Sequence, residues 1–208
     1  MKKLIYLFLT VLITLSVSAQ DINKTNDGYT EVVDVELTKK EIHQKINEWI
    51  AVNYKSANDV IQLNTEDKVI VKGNYSVIMS NLSYRVNNSL VFSIRDNKYK
   101  VDLIPSSVSA SSAVIDDATS ESIIKIYIPK KIERDVYDEI TRKNGVAYLK
   151  KMGWSDKKIE KKFLNKPTDE IYYNKYLEDK KQWDNEIKST FQSIKDYVIK
   201  SNNDNDDW

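Results

Sequence analysis

The feature that most constrains the fold is a pair of alternating segments around Asp96-Asn97. Leu90, Phe92 and Ile94 alternate with Val91, Ser93 and Arg95. Beyond the dipeptide, Tyr99, Val101 and Leu103 alternate with Lys98, Lys100 and Asp102. Period-two alternation marks strands with one buried face. Asp and Asn tolerate the left-handed backbone that a two-residue hairpin turn requires. The pair is therefore expected to be antiparallel, with a large apolar face that other elements must cover.

The same reading extends in both directions. Tyr29–Leu37 reads as a strand with Val33, Val35 and Leu37 on one face. Thr38-Lys39-Lys40-Glu41 has the form of a capping box, and Ile42, Ile46, Trp49 and Ile50 follow at helical spacing. Val60–Leu63 is a short strand candidate. Val69, Val71, Gly73, Tyr75, Val77 and Met79 share one face of a longer strand, and a further segment starts near Leu82. Serines crowd Pro105–Ser122, which is expected to be a mobile loop, with a short strand at Ile123–Ile128. A helical stretch from Lys130 to Met152, interrupted by Gly145, precedes a short helix from Ser155 to Phe163. Pro167 to Glu170 opens a long helix carrying Tyr173, Tyr176, Trp183, Ile187, Phe191, Ile194 and Val198 on one stripe. Runs of strands bracketed by helices predict an α+β fold, with helices on one face of an antiparallel sheet.

Residues 1–19 have the three parts of a cleavable export signal: Lys2 and Lys3, the apolar run Leu4–Leu15, and small residues before a cleavage point between Ala19 and Gln20. The run is too short to span a bilayer of roughly 20 residues' depth, so no membrane span is expected after signal removal. Without cysteine the chain has neither a lipoprotein anchor nor disulfides. A periplasmic or secreted location follows. Residues 20–28 are expected to be a flexible N-terminus and 201–208 a polar tail, leaving 29–200 as one domain. The chain holds 32 Lys plus Arg against 31 Asp plus Glu, and cleavage leaves 30 against 31. Near-neutrality supplies no long-range field toward nucleic acid.

Catalytic chemistry has few residues to work with. His43 is the one histidine and borders the apolar stripe of the first helix, so a boundary position suits it better than catalysis. A transition-metal site lacks a second His or Cys, and four glycines assemble no phosphate loop. Neither cofactor nor metal is expected, and no residue is assigned a catalytic or ligand-binding role.

Tyr29-Thr-Glu-Val-Val-Asp-Val-Glu-Leu37 runs into Thr38-Lys-Lys-Glu-Ile42, followed by Trp49, Lys55-Ser-Ala-Asn-Asp-Val-Ile-Gln-Leu63 and Val71-Lys-Gly73. On these residues the chain resembles an exported bacterial family described as a domain of unknown function with TBP-like fold. The resemblance covers about residues 29–105. It implies a curved antiparallel sheet with two main helices on one face, completed by the C-terminal helix, and a mostly helical insertion at about 106–165. The family brings no activity with it. The expected function is an exported, non-enzymatic binding module for a protein, peptide or envelope component. The alternative is a hydrolase using paired carboxylates. The uncovered sheet face is expected to show Asp34, Glu36, Lys72, Asn74, Ser76, Ser93, Arg95, Lys98, Lys100 and Asp102. Its mixed signs and lack of rings speak against nucleic acid.

Overall fold

The computed structural model describes residues 22–25, 28–79, 82–110, 117–128, 133–165 and 170–200. Residues 1–19, the Ala19–Gln20 junction, the tail at 201–208 and the helix opening at Pro167–Asp169 lie outside them.

Six strands form one antiparallel sheet: β1 (Asn23–Lys24), β2 (Tyr29–Asp34), β3 (Ile61–Thr65), β4 (Lys68–Met79), β5 (Leu82–Arg95) and β6 (Lys98–Ala110). Their spatial order is β1-β2-β6-β5-β4-β3. The hairpin is as expected, with Asn97 at φ 63° and Arg95 opposite Lys98. Strand β2 ends at Asp34, short of Leu37, because Val35 and Leu37 bond instead to the turn residue Asn97. Asn23–Lys24 pairs with β2, so part of the expected flexible N-terminus belongs to the sheet.

Helices α1 (Lys39–Asn53) and α6 (Glu170–Lys200) close one face. Thr38 and Glu41 make both bonds of the capping box at the start of α1. The helix turns Ile42, Ile46, Trp49 and Ile50 inward. Helix α6, about 46 Å long at 1.5 Å per residue, buries Trp183, Ile187, Phe191, Ile194 and Val198. These meet the inward residues of the strands in one core. Trp49 packs edge-on to Phe92, with ring centroids 6.3 Å apart, and its indole N–H donates to Ser193 Oγ at 3.1 Å. A single turn of helix, α2 (Ala57–Val60), leads into β3, where a strand had been expected from Val60.

Between the hairpin and α6 three expectations are overturned. Pro105–Ala110 is not loop but the end of β6. Pro105 sits opposite Asn88, where the β5–β6 register shifts, and a bulge tolerates a residue without an N–H. Val108 is buried there, with Ser107 and Ser109 as neighbours in the strand. Ile123–Ile128 is not a strand either. It lies largely within α3 (Asp117–Tyr127), since a short apolar run fits helix and strand alike. Helix α4 (Arg134–Lys151) passes unbroken through Gly145, where a Cβ would collide with the Phe163 ring. Phe163 belongs to a π turn (Glu160–Leu164) that extends α5 (Asp156–Ile159). Ser155 occupies the N-cap of α5 without making a capping bond.

An aromatic chain docks α3 and α4 onto α6. Tyr127 stacks on Trp183 at 5.3 Å, Tyr137 stacks on Tyr176 at 4.8 Å, and Tyr127 and Tyr176 meet at 5.6 Å. No helix among the described residues is long and apolar enough to cross a membrane.

Candidate binding face of the sheet

The face opposite the helices is uncovered among the described residues, and strand register fixes what it shows. Thr30, Asp102, Val91, Ile70 and Leu63 form a row across five strands. Val32, Lys100, Ser93, Lys68 and Thr65 form the next row on one side. On the other side lie Ile104, Ser89 and Lys72, and at the hairpin end lie Asp34, Lys98 and Arg95. Arg85 projects from the far half of β5 opposite Ser76. The centre is aliphatic: Val91 and Ile70 are half-buried, and Val32, Leu63 and Ile104 are 37–39% exposed. No aromatic ring lies among these outward strand residues, as expected.

The charge balance differs from the expectation. Glu36 lies beyond the end of β2, while Lys68 and Arg85 join the face. Lys68, Lys72, Arg85, Arg95, Lys98 and Lys100 thus stand against Asp34 and Asp102. Lys100 pairs with Asp102 at 2.8 Å. The other five cations are exposed and make no ion pair among the described residues. Some lysines elsewhere are matched: Lys24 with Asp184, Lys175 with Asp179, and Lys125 with Glu121. A nearly neutral chain therefore carries a cationic face.

At the hairpin end this face runs into an opening of about 500 Å³ lined by Lys39, Asp67, Ser93, Ile94, Arg95 and Asp96. The Lys39 ammonium donates to Asp67 at 2.8 Å, and the Lys39 backbone N–H donates to Asp96 at the same distance. The ammonium lowers the Asp67 pKa below the ordinary carboxylate value. That is the reverse of what a general acid needs.

Two buried polar groups of residues lie under the helices. Asp184 accepts from Lys24 at 2.7 Å, from Tyr29 at 3.1 Å and from Lys180 at 3.2 Å. Lys180 also donates to the Tyr127 carbonyl at 2.6 Å, which places a cation at the C-terminus of α3. Burial, with Lys24 adding to it, pushes the Lys180 pKa down to about 8. This constellation ties β1, β2, α3 and α6 together and satisfies its members internally, so it serves as a lock rather than an open site. In the second group burial raises the Glu31 pKa, and one Glu31 oxygen and the Tyr99 hydroxyl have no hydrogen-bond partner among the described residues.

His43 sits half-exposed on α1, bonded to Asn64 at 2.7 Å, in the boundary position expected of it. Among the described residues no cluster of three His, Asp or Glu could hold a metal ion. The sequence reading missed the locked Lys180–Asp184 pair. Its only signal was the i, i+4 spacing of two charges on the inner stripe of a long helix.

Comparison with known proteins agrees with the resemblance over the sheet and first helix. Residues 29–105 match the family described as a domain of unknown function (DUF4468) with TBP-like fold. Two solved structures are similar. A TBP-like protein from Parabacteroides distasonis ATCC 8503 is 17% identical with a TM-score of 0.36. A DUF4468 family protein from Bacteroides ovatus ATCC 8483 is 10% identical with a TM-score of 0.38. Each match covers 46% of this chain and 64% of the other. No protein of curated function matches in sequence.

Proposed function

We propose that this chain is an exported, non-enzymatic binding module whose open sheet face receives an anionic partner from the envelope or from another exported protein. One observation carries the reading: five exposed cations that make no ion pair among the described residues surround an uncovered aliphatic centre. Unpaired surface charge of one sign steers and selects an oppositely charged partner. The export component rests on residues 1–19 alone. The non-enzymatic component is supported by the opening at the hairpin end, where the Asp67 carboxyl is depressed rather than raised. Nucleic acid stays outside the proposal. The cation excess removes the charge argument against it, but the face has no ring on which bases could stack, and an exported chain meets little nucleic acid. The test is a titration of the protein into fluorescein-labelled poly-L-glutamate at about 20 mM and about 300 mM salt, followed by anisotropy. Saturable binding that weakens at least tenfold at the higher salt is expected. Absence of binding at the lower salt would overturn the proposal.

A further inference from the structure

Resting on that reading, we infer that the face has an occupant on this chain itself: the acidic segment Asn202–Asp207, which folds back round the hairpin and competes with the external anion. Residues 201–208 carry Asp204, Asp206 and Asp207 and no Lys or Arg. They follow directly on α6, whose course brings them to the cationic side. Trp183 packs edge-on to Tyr75, opposite Val86, in the far half of the sheet. Ten residues on, Ser193 accepts from Trp49, whose ring lies against Phe92. The helix advances about 15 Å over that interval, while β5 advances about 20 Å from Val86 to Phe92. Helix α6 therefore runs toward the hairpin. Its remaining seven residues add about 10 Å, which is also the distance along β5 from Phe92 to Arg95. Lys200 thus ends level with Arg95 and Lys98. Packed layers stand about 10 Å apart, so passing round the hairpin to the open side takes roughly 15 Å. At about 3.3 Å per extended residue, Asp206 and Asp207 reach about 20 to 23 Å beyond Lys200. That takes in Arg95 and Lys98, and Lys68 and Lys100 one outward row further in. Staying beside α6 is unfavourable, because the C-terminal end of a helix dipole is negative and repels Asp. Arg95, Lys98 and Lys68 are exposed on three adjacent strands and make no ion pair among the described residues. A tethered segment acts at millimolar effective concentration, so it masks the face while a more highly charged partner displaces it.

The test replaces Asp204, Asp206 and Asp207 with Asn in one variant. In a second, Glu139, Glu170 and Glu186, exposed on the helices, become Gln. Both variants change net charge by the same amount. At about 20 mM salt the first is expected to bind labelled poly-L-glutamate about threefold or more tightly than wild type, as removal of a tethered competitor requires. The second should change by less than about twofold. A nitroxide on Trp208→Cys, a unique site in a cysteine-free chain, locates the segment. In NMR spectra it should broaden the amides of Lys68, Ser93 and Lys100 more than those of Lys40 and Gln44 at the start of α1, and the broadening should fade at about 300 mM salt. Equal gains from the two variants, no gain from the first, or broadening centred on α1 or unchanged by salt overturns the tail as occupant while the anionic reading stands. Absence of poly-L-glutamate binding by wild type and both variants overturns both.

Discussion

Trp49 shows how much one side chain carries in this fold. It leaves α1, crosses to Phe92 in the middle of the sheet, and bonds to Ser193 on α6. Trp49→Ala is expected to lower stability by about 3 to 5 kcal/mol, and His43→Ala by under about 1 kcal/mol. Equal shifts in paired denaturant melts would mean that the helix face is wrongly assigned. Lys180 gives a pH signature. Its folded pKa is about 8 against an ordinary 10.5, so between those values the unfolded chain holds a proton that the folded chain lacks. Stability should therefore rise with pH across the lower part of that window. Above about pH 10 Tyr29, Tyr75, Tyr99 and Tyr127, whose pKa values burial raises, oppose it. Urea melts of wild type and Lys180→Met between pH 7.5 and about 9.5 should show the rise only in wild type; matching slopes would contradict the placement. Glu31 behaves oppositely. Its folded pKa is raised, so its contribution falls as pH climbs above the ordinary 4.5. Glu31→Gln should gain about 1 kcal/mol at pH 7, and a loss there would indicate a partner for the carboxylate.

At the scale of elements, legibility followed periodicity. The capping box, the stripe of α1, the hairpin and the stripe of α6 were readable because each repeats one spacing over several turns or pleats. The stretch from Pro105 to Ile128 was not, because serine and proline mimic loop composition. What decides it is long-range. Pro105 fits a bulge set by Asn88, and Ser120 on α3 accepts the backbone N–H of Val108 at 2.7 Å. Amides at Val108 and Ser109 should exchange with the protection of strand, and loop-like exchange would restore the sequence reading. Ser120→Ala leaves the Val108 N–H without that partner and should cost about 1 to 3 kcal/mol in melts. Gly145 was read as a break, yet it is the place where α4 lets Phe163 approach. Gly145→Ala, favourable by helix propensity alone, should instead destabilise.

At the scale of the molecule, composition concealed the candidate site. A chain with 32 basic and 31 acidic residues looks featureless, and only the register shows which of its charges gather on the open face. Sequence alternation located most of that face. It could not show that β2 ends before Glu36, nor that β4 and β5 bring Lys68 and Arg85 to the same side. The most direct measurement compares two triple variants with identical change in net charge. One replaces Lys68, Lys72 and Lys98 with Gln on the open face; the other replaces Lys40, Lys181 and Lys188 with Gln on exposed positions of the helices. Anisotropy titrations of labelled poly-L-glutamate at about 20 mM salt should show at least tenfold weaker binding for the first and less than twofold change for the second. Equal losses in the two variants would mean that net charge, not the sheet face, governs binding, and would contradict the account.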